Sequence, residues 1–191
     1  MTKKVAFLFP GQGSQAVGMG KDLYETSESA KQVFDTADEV LGKSITTMCF
    51  EGPEEALKQT VNTQPSIVTM SIAALEALKD KCEVIPSYVA GHSLGEYCAM
   101  YASGVMSLEN TLKAIQKRAD LMGSAKGGAM SAVLNASEEA LKEALKDASE
   151  VGYVDVANYN SPAQVVITGD EAAVAKAGAV SYTHLRAHET V

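Results

Sequence analysis

The feature that most constrains the fold is residues 87–97, SYVAGHSLGEY, where a β-prone run leads into a G-x-S-x-G pentapeptide and then a helix-prone segment. This order is typical of a nucleophile elbow, a sharp turn between a strand and a helix. Gly91 and Gly95 flank Ser93, so the turn can hold the serine in a strained conformation with its hydroxyl exposed above the helix N-terminus. Ser93 is therefore a candidate nucleophile, although a serine between glycines also occurs in ordinary turns.

An apolar run near the start of the chain predicts a second strand. Residues 5–9, VAFLF, show no alternation, which is typical of a parallel strand buried on both faces, and Pro10 ends it. Residues 11–16, GQGSQA, also fit a dinucleotide-binding fingerprint, which expects a second strand ending in an acidic residue about 20 positions on. Around Asp35 and Asp38 the spacing is instead helical. We interpret these glycines as letting backbone N–H groups approach a reacting carbonyl.

Helical spacing dominates the rest of the first 122 residues. Ser27 and Gly42 are the expected start and stop of one helix. A longer apolar helix is predicted over 67–78, the helix after the elbow over 94–102, and another after Ser107. Glu96 suits the first turn of its helix or braces the site, and Cys98 is expected to be a buried apolar residue.

A glycine-rich connector at 123–128, GSAKGG, marks a change of unit. The pattern after it is β-α-β-β-α, a ferredoxin-like unit without its last strand. Residues 158–162, NYNSP, supply turn residues between the last two strands. The predicted elements are strands over 129–134, 153–157 and 164–168 and helices over 137–148 and 171–177.

Composition excludes several classes of protein. The 191 residues are 46% hydrophobic and 21% charged, as in an ordinary globular chain. A formal net charge of −8 argues against nucleic acid or an anionic membrane as the main partner. Three cysteines without C-x-x-C spacing suggest neither a disulfide framework nor a metal site. With no signal-peptide or membrane-spanning run, we expect a cytoplasmic protein.

Four stretches resemble the malonyl-CoA:acyl-carrier-protein transacylase family of fatty-acid synthesis. They are residues 9–15, FPGQGSQ, residues 91–97, GHSLGEY, the helix with Lys117 and Arg118 followed by Met122, and residues 158–169. The resemblance runs from Lys4 to Ala179. It implies an α/β fold with a hydrolase-like parallel-sheet core over 1–124 and an inserted ferredoxin-like subdomain over 125–180, both incomplete.

The resemblance also implies an activity. A malonyl group would pass from malonyl-CoA to the phosphopantetheine thiol of acyl carrier protein through an acyl-serine at Ser93. The N–H groups of Gln12 and Leu94 would form the oxyanion hole, and Arg118 would bind the malonyl carboxylate. Asn158 or Asn160 would lie near the substrate. No metal or cofactor beyond these thioester substrates is expected, and the complete protein would be a monomer.

The tail over 181–191 departs from the resemblance. The family's general base is a histidine in a P-F-H-S-like segment, which neither His184 nor His188 matches, and His92 lies inside the elbow. We therefore expect a truncated chain, weakly active or inactive, with apolar area exposed on residues 5–9 and on the helix from Ile67. The alternatives are a serine esterase or thioesterase and a non-catalytic fragment.

Overall fold

The structure, a computed structural model, describes residues 4–184, with side chains described as far as residue 179. It divides after Ser124 into two compact units, residues 1–124 and 125–191. Each unit has its own hydrophobic core. Of the predicted tail, positions 185–191, which include His188, lie outside the described residues.

The first unit contains a pair of parallel strands and a set of helices. β1 pairs with β2 so that Phe9 lies opposite Gly91, and the helices between them form the crossover that parallel strands require. Because both strands end at the same edge, the loop after β1 and the elbow after β2 start side by side. The elements are β1 (Ala6–Phe9), α1 (Lys21–Thr26), α2 (Glu28–Leu41), α3 (Ile45–Glu51), α4 (Glu54–Leu57), α5 (Thr60–Lys81), β2 (Tyr88–Gly91), α6 (Gly95–Ala102) and α7 (Leu108–Ser124).

Helix α5 is the centre of the first core. It packs against α2, α3, α6 and α7, and its Val68 and Ile72 are completely buried. The predicted exposure of this helix is therefore wrong from Ile67 to Ala77, where the side chains are buried or partly buried, and it is observed only at Leu78, which is 41% exposed. Neither α5 nor any other helix within residues 4–184 is both long and apolar enough to cross a membrane.

Helix α5 also begins seven residues earlier than predicted, at Thr60, and contains Pro65. Proline has no N–H, so the carbonyl of Val61 lacks its helical donor. That carbonyl instead accepts hydrogen bonds from Lys43 Nζ at 3.0 Å and Gln116 Nε2 at 3.4 Å. Side chains from two neighbouring segments thus supply the hydrogen bonds that the Val61 carbonyl would otherwise lack, and the helix continues through Pro65.

The strand pair is only partly covered. Phe9 is buried, but Leu8 is 76% exposed and Tyr88 is 62% exposed. A parallel strand is buried on both faces only where helices cover both, and among the described elements of the first unit α6 is the helix that packs on these strands. The burial of residues 5–9 on both faces is therefore not observed, whereas the predicted apolar exposure is confirmed at Leu8.

The second unit is a three-stranded antiparallel sheet with helices. The strand order is β3-β5-β4, and the predicted β-α-β-β-α sequence of elements is confirmed. Its core is formed by strand and helix residues such as Val133, Leu141, Ile167 and Val174. The elements are β3 (Gly128–Leu134), α8 (Glu138–Ala148), β4 (Val154–Ser161), β5 (Gln164–Asp170) and α9 (Glu171–His184).

Two boundaries in the second unit differ from the prediction. Residues 158–161 belong to strand β4, and the turn is the two-residue step Pro162–Ala163. Pairing of Ser161 with Gln164 closes the hairpin there, and two register shifts in β4 accommodate the turn-prone residues within the strand. Helix α9 extends to His184, beyond the predicted end at residue 177.

Candidate functional site

The elbow predicted around Ser93 is present. Strand β2 ends at Gly91, helix α6 begins at Gly95, and Ser93 between them has φ of 53°. An L-residue in this left-handed region costs about 1–2 kcal/mol, so the surrounding structure must enforce it. Leu94 is fully buried while Ser93 is exposed. The turn therefore presents the serine hydroxyl at the surface and anchors itself through the next residue.

Close backbone contacts explain the two glycines of the elbow. A Cβ atom at Gly91 would lie 1.9 Å from the carbonyl carbon of Gly95. A Cβ atom at Gly95 would lie 2.5 Å from the carbonyl oxygen of Phe9 and 2.7 Å from that of Pro10. No side chain fits at either position, because the first residues of α6 fill the space at Gly91 and the end of β1 fills the space at Gly95.

His92 joins the elbow to this loop. Its N–H donates to the Phe9 carbonyl at 3.0 Å, and a Cβ atom at Gly11 would lie 2.2 Å from its Nδ1 atom. The imidazole thus occupies the space that a side chain at position 11 would need. This contact agrees with the interpretation of His92 as a support of the turn, and it holds the residue before Gln12 beside the elbow.

Two backbone N–H groups lie in this region. Leu94 is the N-cap of α6, where the first N–H groups of a helix lack intrahelical acceptors. Gln12 is exposed in a loop that Ser14 Oγ closes by donating to the Gly11 carbonyl at 2.9 Å. The oxyanion role of Gln12 and Leu94 stays a prediction.

The structure brings Arg118 to Ser93. Arg118 is half-buried on α7, and its Nη2 donates to Ser93 Oγ at 3.0 Å. Its Nη1 donates to Gln64 Oε1 at 2.5 Å. A guanidinium held beside an exposed serine hydroxyl can bind an anionic group of a molecule that reacts with that serine.

Gln64 is the site residue that the sequence reasoning missed. It lies on α5, is fully buried, and donates from Nε2 to Met122 Sδ at 3.3 Å. A signal was available: Ile67 and Val68 stand three and four residues later, so helical spacing puts a polar side chain on the most buried face. A buried amide on an apolar face indicates a specific polar partner.

Cys98 lies where a buried apolar residue was expected, and Glu96 lies in the first turn of its helix. Cys98 is fully buried, and burial raises the pKa of its thiol to about 12, so it is not a nucleophile at neutral pH. Glu96 is exposed in the first turn of α6, where a carboxylate suits the helix dipole.

The dinucleotide fingerprint is not supported by the fold. The segment that would form its second strand is helix α2, over Glu28–Leu41. Asp38, near the position expected for a ribose-binding acid, accepts from the Thr46 N–H at 3.0 Å and from Ser44 Oγ at 3.3 Å. Its carboxylate therefore holds the start of the next helix.

Asn158 and Asn160 lie on strand β4 of the second unit, and both are exposed. Asn158 pairs with Val166 across the sheet, and Asn160 Nδ2 donates to Gln164 Oε1 at 3.0 Å. A contact of either asparagine with substrate stays a prediction.

Comparison with known proteins shows the family. Residues 6–182 match the family described as "Acyl transferase domain". The chain belongs to this acyl transferase domain family. Its α/β class, with a parallel sheet and a small antiparallel sheet, agrees with the fold of the solved relatives.

Individual relatives carry more specific names. The chain is 44% identical over 170 residues to a malonyl CoA-acyl carrier protein transacylase of Bacillus subtilis (strain 168), covering 87% of this chain and 53% of that protein. A crystal structure of an acyl-carrier-protein S-malonyltransferase from Burkholderia pseudomallei 1710b has a TM-score of 0.90 at 36% identity, covering 99% of this chain and 62% of the other. A malonyl-transacylase solved in complex with a type II polyketide-synthase acyl-carrier protein has a TM-score of 0.89 at 35% identity, covering 99% of this chain and 62% of the other. The chain spans about half the length of the curated relatives it matches.

Proposed function

We propose that this chain carries the nucleophile and acyl-binding arginine of a malonyl-CoA:acyl-carrier-protein transacylase. The observation that carries the proposal is the hydrogen bond from Arg118 Nη2 to Ser93 Oγ, 3.0 Å long. The names of the relatives support the same substrates. A serine esterase acting on neutral esters would have no use for a half-buried guanidinium beside its nucleophile.

The reaction proceeds in two transfers. Ser93 Oγ attacks the thioester carbonyl carbon of malonyl-CoA, the C–S bond breaks, and coenzyme A leaves as the thiol with the proton given up by the serine. The phosphopantetheine thiol of acyl carrier protein then attacks the serine ester, and the hydroxyl of Ser93 is restored. Each step passes through a tetrahedral intermediate whose oxyanion needs two donors, for which we propose the N–H groups of Gln12 and Leu94.

Arg118 gives the site its acyl preference. In the free site it donates to the serine hydroxyl, and with substrate bound it would pair with the terminal malonyl carboxylate, for which planar guanidinium geometry is suited. An acetyl group offers no such partner, so the half-buried guanidinium would gain no anionic partner from it. Asn158 or Asn160 is proposed as a further substrate contact.

The biological setting is also a proposal. The partner is acyl carrier protein, in fatty-acid or polyketide synthesis, as the names of the relatives indicate. No cofactor is needed, because coenzyme A and phosphopantetheine enter as parts of the substrates. A cytoplasmic, monomeric protein fits this chemistry.

The proposal is tested by mapping the acyl group. The protein is incubated with malonyl-CoA, digested, and searched by mass spectrometry for a malonyl adduct, with Ser93→Ala as the control. Because this chain is expected to be weakly active at best, we expect label to accumulate slowly on the peptide containing Ser93 during a long incubation, and none in the variant. Label on Cys98 or Ser14, or faster hydrolysis of a neutral ester than malonyl exchange, would contradict the proposal.

A further inference from the structure

Gln64 is a fully buried polar side chain of the first unit that contacts the site through Arg118. It has 0% exposure, and its neighbours along α5 from Thr63 to Thr69 are buried too. Burying an amide is unfavourable unless its donors and acceptor are used. Here both ends are used: Oε1 accepts from Arg118 and Nε2 donates to Met122 Sδ.

The partner of Arg118 is neutral. An arginine withdrawn from solvent usually pairs with a carboxylate, but no carboxylate within residues 4–179 forms an ion pair with the half-buried Arg118. The ion pairs in that range are made by lysines. An amide acceptor fixes one end of the guanidinium without cancelling its charge, so the full positive charge remains for an anionic ligand.

Two contacts set the direction of the guanidinium. Nη1 is held by Gln64 from α5, and Nη2 is thereby directed at Ser93 on the elbow. Because the guanidinium is a rigid plane, holding one terminal nitrogen restricts the other. Without the Gln64 acceptor, Arg118 would keep its charge, but its guanidinium would no longer be held in the orientation that faces Ser93.

Met122 sets the direction of the amide. It stands four residues after Arg118 on α7, so both side chains lie on one helix face beside Gln64. A thioether accepts a weak hydrogen bond but donates none. If the Gln64 amide were reversed, its NH₂ would face the guanidinium, donor against donor. The guanidinium donor and the thioether acceptor therefore together favour the orientation in which Oε1 faces Arg118 and Nε2 faces Met122.

The geometry points to Gln64 as a positioning residue that determines acyl specificity: a neutral acceptor that aims Arg118 at the acyl group on Ser93 while leaving its charge for the acyl carboxylate. This inference rests on the proposed function. It assigns the preference for a carboxylate-bearing acyl group to two residues, one that supplies the charge and one that keeps it available.

The test compares Gln64→Glu with Gln64→Leu. Glutamate keeps the acceptor but neutralises the guanidinium, whereas leucine keeps the apolar volume and removes the acceptor. We expect both variants to lose malonylation of Ser93 by roughly 10- to 100-fold, with acetylation from acetyl-CoA changed less than about threefold. Met122→Leu should give a smaller loss, because sulfur is a weak acceptor.

Controls separate folding from positioning. Gln32→Glu makes the same change at an exposed position of α2 and should leave both acyl rates unchanged. Circular dichroism spectra and urea midpoints show whether each variant is folded, and protection by free malonate in a thermal melt reports anion binding without turnover. Malonate should protect wild type and not Gln64→Glu.

The outcomes are distinct. If wild type is malonylated and Arg118→Ala is not, but both Gln64 variants keep the malonyl preference, Gln64 does not position the arginine and the proposed function stands. Equal loss of malonylation and acetylation in folded Gln64 variants also overturns the inference. If wild type is neither malonylated nor protected by malonate, the proposed function fails and the inference fails with it.

Discussion

Ser93 combines a strained backbone with an exposed hydroxyl. Its φ of 53° lies in a region that costs an L-residue about 1–2 kcal/mol, and the strain is enforced by the packing of Gly95 against the end of β1. A strained turn holds the hydroxyl in one direction, which is useful only if that direction is needed for chemistry.

Relief of this strain is measurable. Ser93→Gly should be more stable than Ser93→Ala by about 0.5–1 kcal/mol, because glycine accepts positive φ and this gain exceeds its greater loss of backbone entropy on folding. Both variants lack the hydroxyl, so the comparison isolates the backbone. Urea unfolding of the two proteins gives the difference, and equal midpoints would show that Ser93 is not strained.

Arg118 is the second residue-scale determinant. If the proposed function holds, Arg118→Ala in a chain extended to the length of its relatives should lower kcat/KM for malonyl transfer about 100-fold or more. Acetyl transfer should be kept or increased, since the guanidinium distinguishes only substrates with and without a carboxylate. The adjacent, exposed Lys117→Ala is the matched control and should change neither rate. Steady-state kinetics with both thioesters measures the ratio; a parallel loss for both would mean that the arginine is structural.

At the scale of elements, α5 shows how a helix accommodates an internal proline next to a site. The Val61 carbonyl freed by Pro65 ties α5 to Lys43 and to Gln116 of α7, two residues before Arg118. Burial lowers the pKa of Lys43, with the nearby Asp120 opposing the shift. This contact joins the same two helices as the bonds of Gln64, so α5 and α7 are held together by polar contacts at Val61 and at Gln64.

A double-mutant cycle tests whether the Lys43 side chain replaces the backbone N–H donor that Pro65 lacks. Lys43→Met should destabilise the protein by about 1–2 kcal/mol, because the Val61 carbonyl loses its shorter hydrogen bond. In a Pro65→Ala background the loss should be smaller by about 0.5–1 kcal/mol, since the restored Ala N–H can bond the same carbonyl. Urea midpoints of the four proteins give the coupling energy. Additive effects would show that lysine and proline act independently.

At the scale of the whole molecule, burial in the first core distinguishes two of the three cysteines from the third. Cys49 and Cys98 are buried, and Cys82 at the end of α5 is exposed. Burial raises the pKa of the Cys49 and Cys98 thiols to about 12, from about 8.5 in an unfolded chain. Their folded forms therefore hold protons that the unfolded chain releases in alkaline solution.

The sign of the resulting pH dependence is fixed. Because the folded pKa is raised, the stabilisation is fully present below pH 8.5 and is lost as the pH rises towards 12. We expect a loss on the order of 2–3 kcal/mol per thiol by pH 10.5. Cys49→Ala and Cys98→Ala should each flatten this decline in urea titrations, whereas Cys82→Ala should not. An unchanged slope in the buried variants would contradict the assignment.

Much of the local structure was determined by the sequence itself. Glycines around Ser93 predicted the elbow, and Ser27 and Gly42 predicted both ends of α2, because turn and cap chemistry acts over a few residues. Apolar spacing predicted the helices and the β-α-β-β-α order for the same reason. Arg118 was identified through the family resemblance, and spacing alone would have left it an ordinary helix-surface cation.

What only the tertiary structure decided depends on contacts between distant residues. The bonds of Arg118 reach Gln64, 54 positions away, and Ser93, 25 positions away, and no local pattern determines how α5, α6 and α7 pack. Strand β4 extends to Ser161 because β5 pairs with it, although its own residues favour a turn. Similarly, the apolar run at β1 predicts only that burial of these side chains is favourable. Whether Leu8 is covered depends on which elements pack against it.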